Sequence, residues 1–145
     1  MSRVETPKPL EAQPKPQHIH FLIEGCSKEI LDNQGLIEEI LTNVQGNLGI
    51  KTVGRTSVYK YDAGHPKDRG FSGLILVIGL MDSLTIHTQT ERKIVFGDFS
   101  TRYAEQGERL KNYLQEKFQG HSVKTLPVES TKKEYEEFFA PLSEY

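Results

Sequence analysis

The alternation of apolar and polar positions divides the chain into a small number of elements. HIHFLIE, from His18 to Glu24, alternates as a strand. In the segment that follows, Leu36, Ile37, Ile40, Leu41 and Val44 fall on one helical face, with Glu38 and Glu39 on the other. KEILDNQGLIEEILTNVQGNLG therefore reads as a helix, capped by Ser27 and closed by Gly46 or Gly49. Ile50 to Tyr61 reads as a strand that ends in the polar loop DAGHPKDRG. GFSGLILVIGL is almost wholly apolar, the mark of a buried strand. LTIHT and RKIVFGDF read as the next two strands, joined by a polar turn at Gln89 to Glu91. Tyr103, Leu110, Tyr113, Leu114 and Phe118 recur at helical spacing, and Glu105 and Glu108 near the start of that helix suit its dipole. HSVKTLPV is a short last strand, and ESTKKEYEEFFAPLSEY is a short amphipathic helix docked on the sheet or a fraying end.

The order β-α-β-β-β-β-α-β clusters hairpins between two helices. That predicts an α+β fold, a two-layer sandwich with an antiparallel sheet and two main helices on one face. One domain over 18–128 is expected, since 145 residues suffice for one two-layer core. Residues 1–17 carry Pro7, Pro9, Pro14 and Pro16 and almost no core formers, so they read as a disordered, partly polyproline-like tail. Residues 129–145 form the C-terminal tail or short helix.

Composition narrows the partners. A net charge of -2 gives no electrostatic reason to expect nucleic acid or an anionic membrane. No apolar run approaches the roughly 20 residues of a membrane span, and no apolar signal core opens the chain, so a cytoplasmic protein is expected. Cys26 is the single cysteine, which excludes an internal disulfide or a CxxC metal pair and fits a reducing compartment. His18 and His20 share a strand face without an evident third ligand, so no metal is expected.

The candidate chemistry lies between Gly70 and Glu91. If GFSG opens one strand and IHT lies on the next, Ser72 and His87 approach across the pair. Asp82-Ser83 places an acid beside a hydroxyl at a turn, and Ser83 lies on the same strand side as His87, four residues on. Histidine is the usual base for activating a hydroxyl. On spacing alone the plainer reading prevails, with Ser72 capping a turn and His87 a half-buried strand residue, because no oxyanion donors can be placed.

GFSG, an apolar strand and then LTIHTQTE together resemble the core of the prokaryotic S-adenosylmethionine decarboxylases, as does HIHFLIEGCSKEILDNQGLIEEIL at the start. The resemblance runs from about His18 to Val128. It implies a proenzyme that cuts itself before a serine, which becomes a pyruvoyl group. That carbonyl forms a Schiff base with the substrate amine and acts as electron sink for decarboxylation in polyamine (spermidine) synthesis. By the resemblance, Ser72 and His87 assist the self-cleavage, Glu91 holds the ribose of S-adenosylmethionine and Tyr61 stacks on its adenine. It also implies a homodimer built by pairing the sheets of two protomers.

Two features depart from the family. A gapless count puts Asp82 at the pyruvoyl-forming serine, whereas a slip of one residue within the turn puts cleavage between Asp82 and Ser83. The family's proton-donating cysteine falls near Thr101 or Arg102, and the Trp-Pro of its motif is replaced by Gln89-Thr90. Three readings follow: a self-cleaving S-adenosylmethionine decarboxylase with Ser83 as pyruvoyl precursor, a pyruvoyl decarboxylase of another amino acid, or a non-cleaving member that binds a nucleoside or regulates an active relative.

Overall fold

The computed structural model describes residues 17–49, 51–78, 83–101 and 104–143. Of the tail expected over 1–17, residues 1–16 lie outside the described residues, as do Asp82 and Arg102, while Gln17 belongs to the first strand. Six strands form one sheet: β1 (Gln17–Glu24), β2 (Lys51–Asp62), β3 (Arg69–Ile78), β4 (Ser83–Gln89), β5 (Ile94–Thr101) and β6 (Ser122–Pro127). Their order is β2-β3-β4-β5-β1-β6, and every neighbouring pair is antiparallel. The α+β architecture is therefore the expected one.

The long helix expected after Ser27 is instead three: α1 (Lys28–Leu31), α2 (Gln34–Thr42) and α3 (Val44–Leu48). The break follows from Asn33, whose extended backbone ends one helix while its side chain accepts from the Leu36 N–H and starts the next. Asparagine favours such a cap over a helix interior. Gly49, with φ of +68°, closes α3, and Gly46 lies inside it. The second long helix is α4 (Ala104–Lys117).

Alternation along the strands sorts the two faces of the sheet. Phe21, Ile23, Val58, Phe71, Ile75, Leu84, Ile86, Val95 and Phe99 point to the helical side. There they form one core with Leu31, Ile37, Leu41, Leu110, Leu114 and Phe118. Each fully buried side chain of this size stabilises the fold by about 1.5–3 kcal/mol.

Among the described residues, the opposite face is covered at one end only. The last helix, α5 (Lys132–Phe138), starts with a capping box in which Thr131 and Glu134 bond each other's backbone. It lays Phe138 on Leu22, Ile94 and Leu126, with Phe96, Tyr135, Phe139 and Leu142 packed around them. The tyrosine hydroxyl of residue 135 has one proton, which goes to the Val128 carbonyl at 2.5 Å, so His20 Nε2 is the donor in its 3.1 Å bond to Tyr135. Beyond α5 the described residues leave the face open, and Tyr59 and Leu74 are 70% and 40% exposed on it.

Candidate functional site on the open face of the sheet

Antiparallel register lines up the side chains of this face in rows across the strands. Tyr59, Ser72, His87, Phe96 and Leu22 make one row. Leu74, Thr85, Asp98 and His20 make the next. One step further on, Ser100 pairs with His18, and Ser83 begins β4 at the position that continues this row.

Ser72 and His87 are brought together as the residue pattern suggested. They are direct partners across β3 and β4, with Ser72 Oγ hydrogen-bonded to His87 Nδ1 at 2.7 Å. Phe96 stacks obliquely on the imidazole at 5.1 Å. Burial pushes the His87 pKa below its ordinary value, with the charge of Asp98 acting the other way. The imidazole is therefore neutral at neutral pH and can exchange a proton with the Ser72 hydroxyl.

Ser83 is not part of that pair. It shares the strand side of His87, but four residues of extended chain separate their Cα atoms by about 13 Å. The histidine bond goes to Ser72, so the idea that Ser83 and His87 work together within one chain does not hold.

Sequence reasoning passed over Asp98. Its carboxylate accepts from the Thr85 hydroxyl and, at 2.6 Å, from His18 Nε2. Burial alone would raise its pKa, but those two donors and the histidine charges bring it below the ordinary value, so it stays ionised. The available signal was an acid between Phe96 and Ser100 on the same face of an inner strand, where a charge needs partners. Among the described residues, no three His, Cys, Asp or Glu side chains are grouped as a metal ion would require.

Tyr61 stands on the open face in the row next to Tyr59, Ser72 and His87, opposite Gly70, whereas Glu91 is placed apart from this centre. The Tyr61 hydroxyl donates to the Thr88 carbonyl at 2.5 Å; burial raises its pKa, with Gln89 opposing, so it remains a phenol. Gln89 accepts at 2.8 Å from Arg92, whose buried guanidinium also bonds Asp68 at 2.7 Å and the Lys67 carbonyl at 3.0 Å. This network ties the β4–β5 turn to the loop before β3, and Gln89 is the residue that stands where the resemblance expects tryptophan. Glu91 is half-exposed and pairs with Lys28 at 3.0 Å. It lines a depression of about 230 Å³ together with Asp32, Lys60, Arg69, Phe71 and Thr90, but not with Tyr61, Ser72 or His87.

Neither remaining histidine nor the cysteine adds an acid to the face. His65 Nδ1 accepts from the Lys67 N–H at 3.1 Å, and the His121 ring lies where any side chain at Gly25 would sit. Cys26 is buried in the helical core, where burial pushes its thiol up to about 12. Thr101, at one of the positions where the resemblance expects a cysteine, is fully buried. No helix among the described residues is long and apolar enough to cross a membrane.

The family model described as S-adenosylmethionine decarboxylase matches residues 17–130. Among solved structures, the chain is similar to the crystal structure of the adenosylmethionine decarboxylase from Aquifex aeolicus VF5. The TM-score is 0.64 at 17% identity, over 83% of this chain and 100% of that one. None of the curated proteins matches. At that identity the structural likeness bears on the fold, and the family match, spanning most of the chain, carries the assignment: the protein belongs to the S-adenosylmethionine decarboxylase family.

Proposed function

We propose that the protein is a pyruvoyl-dependent decarboxylase of S-adenosylmethionine, serving spermidine synthesis and made as a proenzyme that cuts itself before Ser83. The observation that carries this reading is the 2.7 Å Ser72–His87 hydrogen bond on the open sheet face of a chain of this family. A cut there would interrupt no strand, because Ser83 is the first residue of β4. The pyruvoyl group formed from Ser83 would supply the electron sink for loss of the substrate carboxylate.

The gap between Ser83 and His87 closes in a homodimer that pairs the open faces of two copies. A twofold axis between the sheets, along the row of Leu74, Thr85 and Asp98, lays the Ser83 row of one copy over the His87 row of the other. The exposed Tyr59 and Leu74 support such pairing, since both would be buried by it.

The test is the intact mass of the purified protein under denaturing conditions. Two chains split between Asp82 and Ser83, the second blocked to Edman sequencing, are expected. A single chain of 16.5 kDa, unchanged after long incubation, would overturn the decarboxylase. It would select the second reading, a non-cleaving nucleoside-binding or regulatory partner, which the buried Thr101 at the cysteine position favours.

Glu91 and Tyr61 are assigned to the ribose and adenine under either reading. Glu91 would exchange its exposed bond to Lys28 for the ribose hydroxyls, and charge-assisted hydrogen bonds of this kind contribute about 1.5–3 kcal/mol. In calorimetry with S-adenosylmethionine, Glu91→Gln is therefore expected to weaken binding roughly tenfold or more. Equal affinity of the two proteins would remove Glu91 from the site.

A further inference from the structure

The side of His87 away from Ser72 is taken by Phe96, its direct partner across β4 and β5. The two rings lie 5.1 Å apart and 34° from parallel. Phe96 is in turn the cross-strand partner of Leu22 on β1, and Leu22 pairs with Lys124 on β6. Leu22 is fully buried under Phe138 of α5, and Lys124 Nζ sits over the Phe138 ring at 5.3 Å. One row of contacts thus runs from Ser72 through His87, Phe96 and Leu22 to the last helix. α5 lies past residues 17–130, the span of the family match, so its backing of the row is no part of the matched pattern.

From this row we infer that Phe96 is a positioning residue for the Ser72–His87 pair, held in place by Leu22 and α5; the inference rests on the proposed self-cleavage. An imidazole turns easily about its last side-chain torsion, whose preference is broad and roughly two-fold. A single hydrogen bond to a hydroxyl restrains it weakly, because water competes for both partners. A flat ring packed beside it admits the settings in which the imidazole lies along that ring. One of these turns Nδ1 towards Ser72 and the other turns a ring carbon there. The Ser72 hydroxyl selects the first.

Phe96 also keeps water from that flank, and burial is what lowers the His87 pKa and keeps the ring neutral. Asp98 of β5 is the charge that acts on the ring, in the opposite sense, while Ser72 and Phe96 carry none. An aromatic face attracts a cation and so favours the imidazolium. Leucine at position 96 separates these two effects, since it closes the same flank without an aromatic face.

The experiment compares wild type, Phe96→Ala and Phe96→Leu as freshly purified full-length precursor. Cutting is followed by mass across the pH range in which histidine titrates. Phe96→Ala is expected to cut roughly tenfold more slowly or worse, the scale of a misplaced reacting group. The acid limb of its profile should move up towards 6.5, the ordinary value for histidine. Phe96→Leu should recover most of the rate and the wild-type limb. A Phe96→Ala protein that cuts at the wild-type rate overturns the inference, as does a folded one that is slow with an unmoved limb. Phe96→Leu as impaired as Phe96→Ala overturns it too. Should Phe96→Ala not fold, Phe138→Ala, which removes the support over Leu22, takes its place. It should shift the limb the same way by less, and a wild-type profile would count against the inference equally. A wild type that never cuts overturns the proposed function. The positioning of the pair is then decided by NMR titration of the His87 ring in the uncut chain, where Phe96→Ala must raise the midpoint and an unmoved midpoint overturns the inference.

Discussion

Replacing His87 with alanine is expected to give a folded protein that accumulates as uncut chain, with cleavage slowed by about 10²–10⁴-fold, the range of a lost general acid–base group. Folding should survive, because the ring is only partly buried and its one side-chain bond is to the Ser72 hydroxyl, which can turn to water. The pH profile tests the mechanism further. Burial depresses the His87 pKa from its ordinary 6.5, so the neutral, proton-accepting ring persists as pH falls through that value. His87-dependent cutting should therefore hold at pH 6.5 and decline only on further acidification. If the pair acts across a dimer, co-expression with Ser83→Ala, which keeps its Ser72–His87 pair, should restore cutting of the His87→Ala chain. Cutting of His87→Ala alone at the wild-type rate would sink the role of the Ser72–His87 pair and leave the residue as packing against Phe96.

Of the candidate site, the Ser72–His87 pairing was legible in the sequence and the rest of the arrangement was not. Ser72 opposite His87 followed from two strand patterns and one hairpin, because antiparallel pairing fixes which residues face each other. Ser83 beside His87 did not follow: sharing a side of a strand puts residues on one face, and extended chain puts them far apart. Asp98 was invisible for the opposite reason. Its partners His18 and Thr85 are 80 and 13 residues away, and only the sheet order, with β1 beside β5, brings them together. The strands themselves were plain because their apolar alternation is strong. The helix after Ser27 was misjudged where local chemistry overrides periodicity, at Asn33, whose side chain bonds the backbone that a continuous helix would use. The face chosen by α5 is set by an apolar strip of Leu22, Ile94 and Leu126, drawn from three strands and therefore unreadable from the helix sequence alone.

Gly97→Ala is expected to have the largest effect on the fold. Gly97 is on β5 between Ile86 of β4 and Phe21 of β1, in the middle of the sheet. A Cβ built there would lie 2.0 Å from the Thr85 carbonyl oxygen and 3.0 Å from the Ile86 Cα, both backbone atoms that cannot swing aside. Relief requires β4 and β5 to separate or slip, and either would disturb Thr85–Asp98 and the placing of His87 above Phe96. Overpacking of a core costs about 1–3 kcal/mol even where side chains can yield, and more is expected against fixed backbone. Gly46→Ala is the matched control. Gly46 lies inside α3, nothing stands within 4 Å of its added Cβ, and the same change there should stabilise by about 0.5–1 kcal/mol through helix propensity. Thermal unfolding of the two variants should therefore move in opposite directions from the wild type, with Gly97→Ala lowered by many degrees or recovered only as aggregate. A Gly97→Ala protein as stable as the wild type would mean that β4 and β5 do not approach as described, and the register that sets Ser72 against His87 and Asp98 against Thr85 would fall with it.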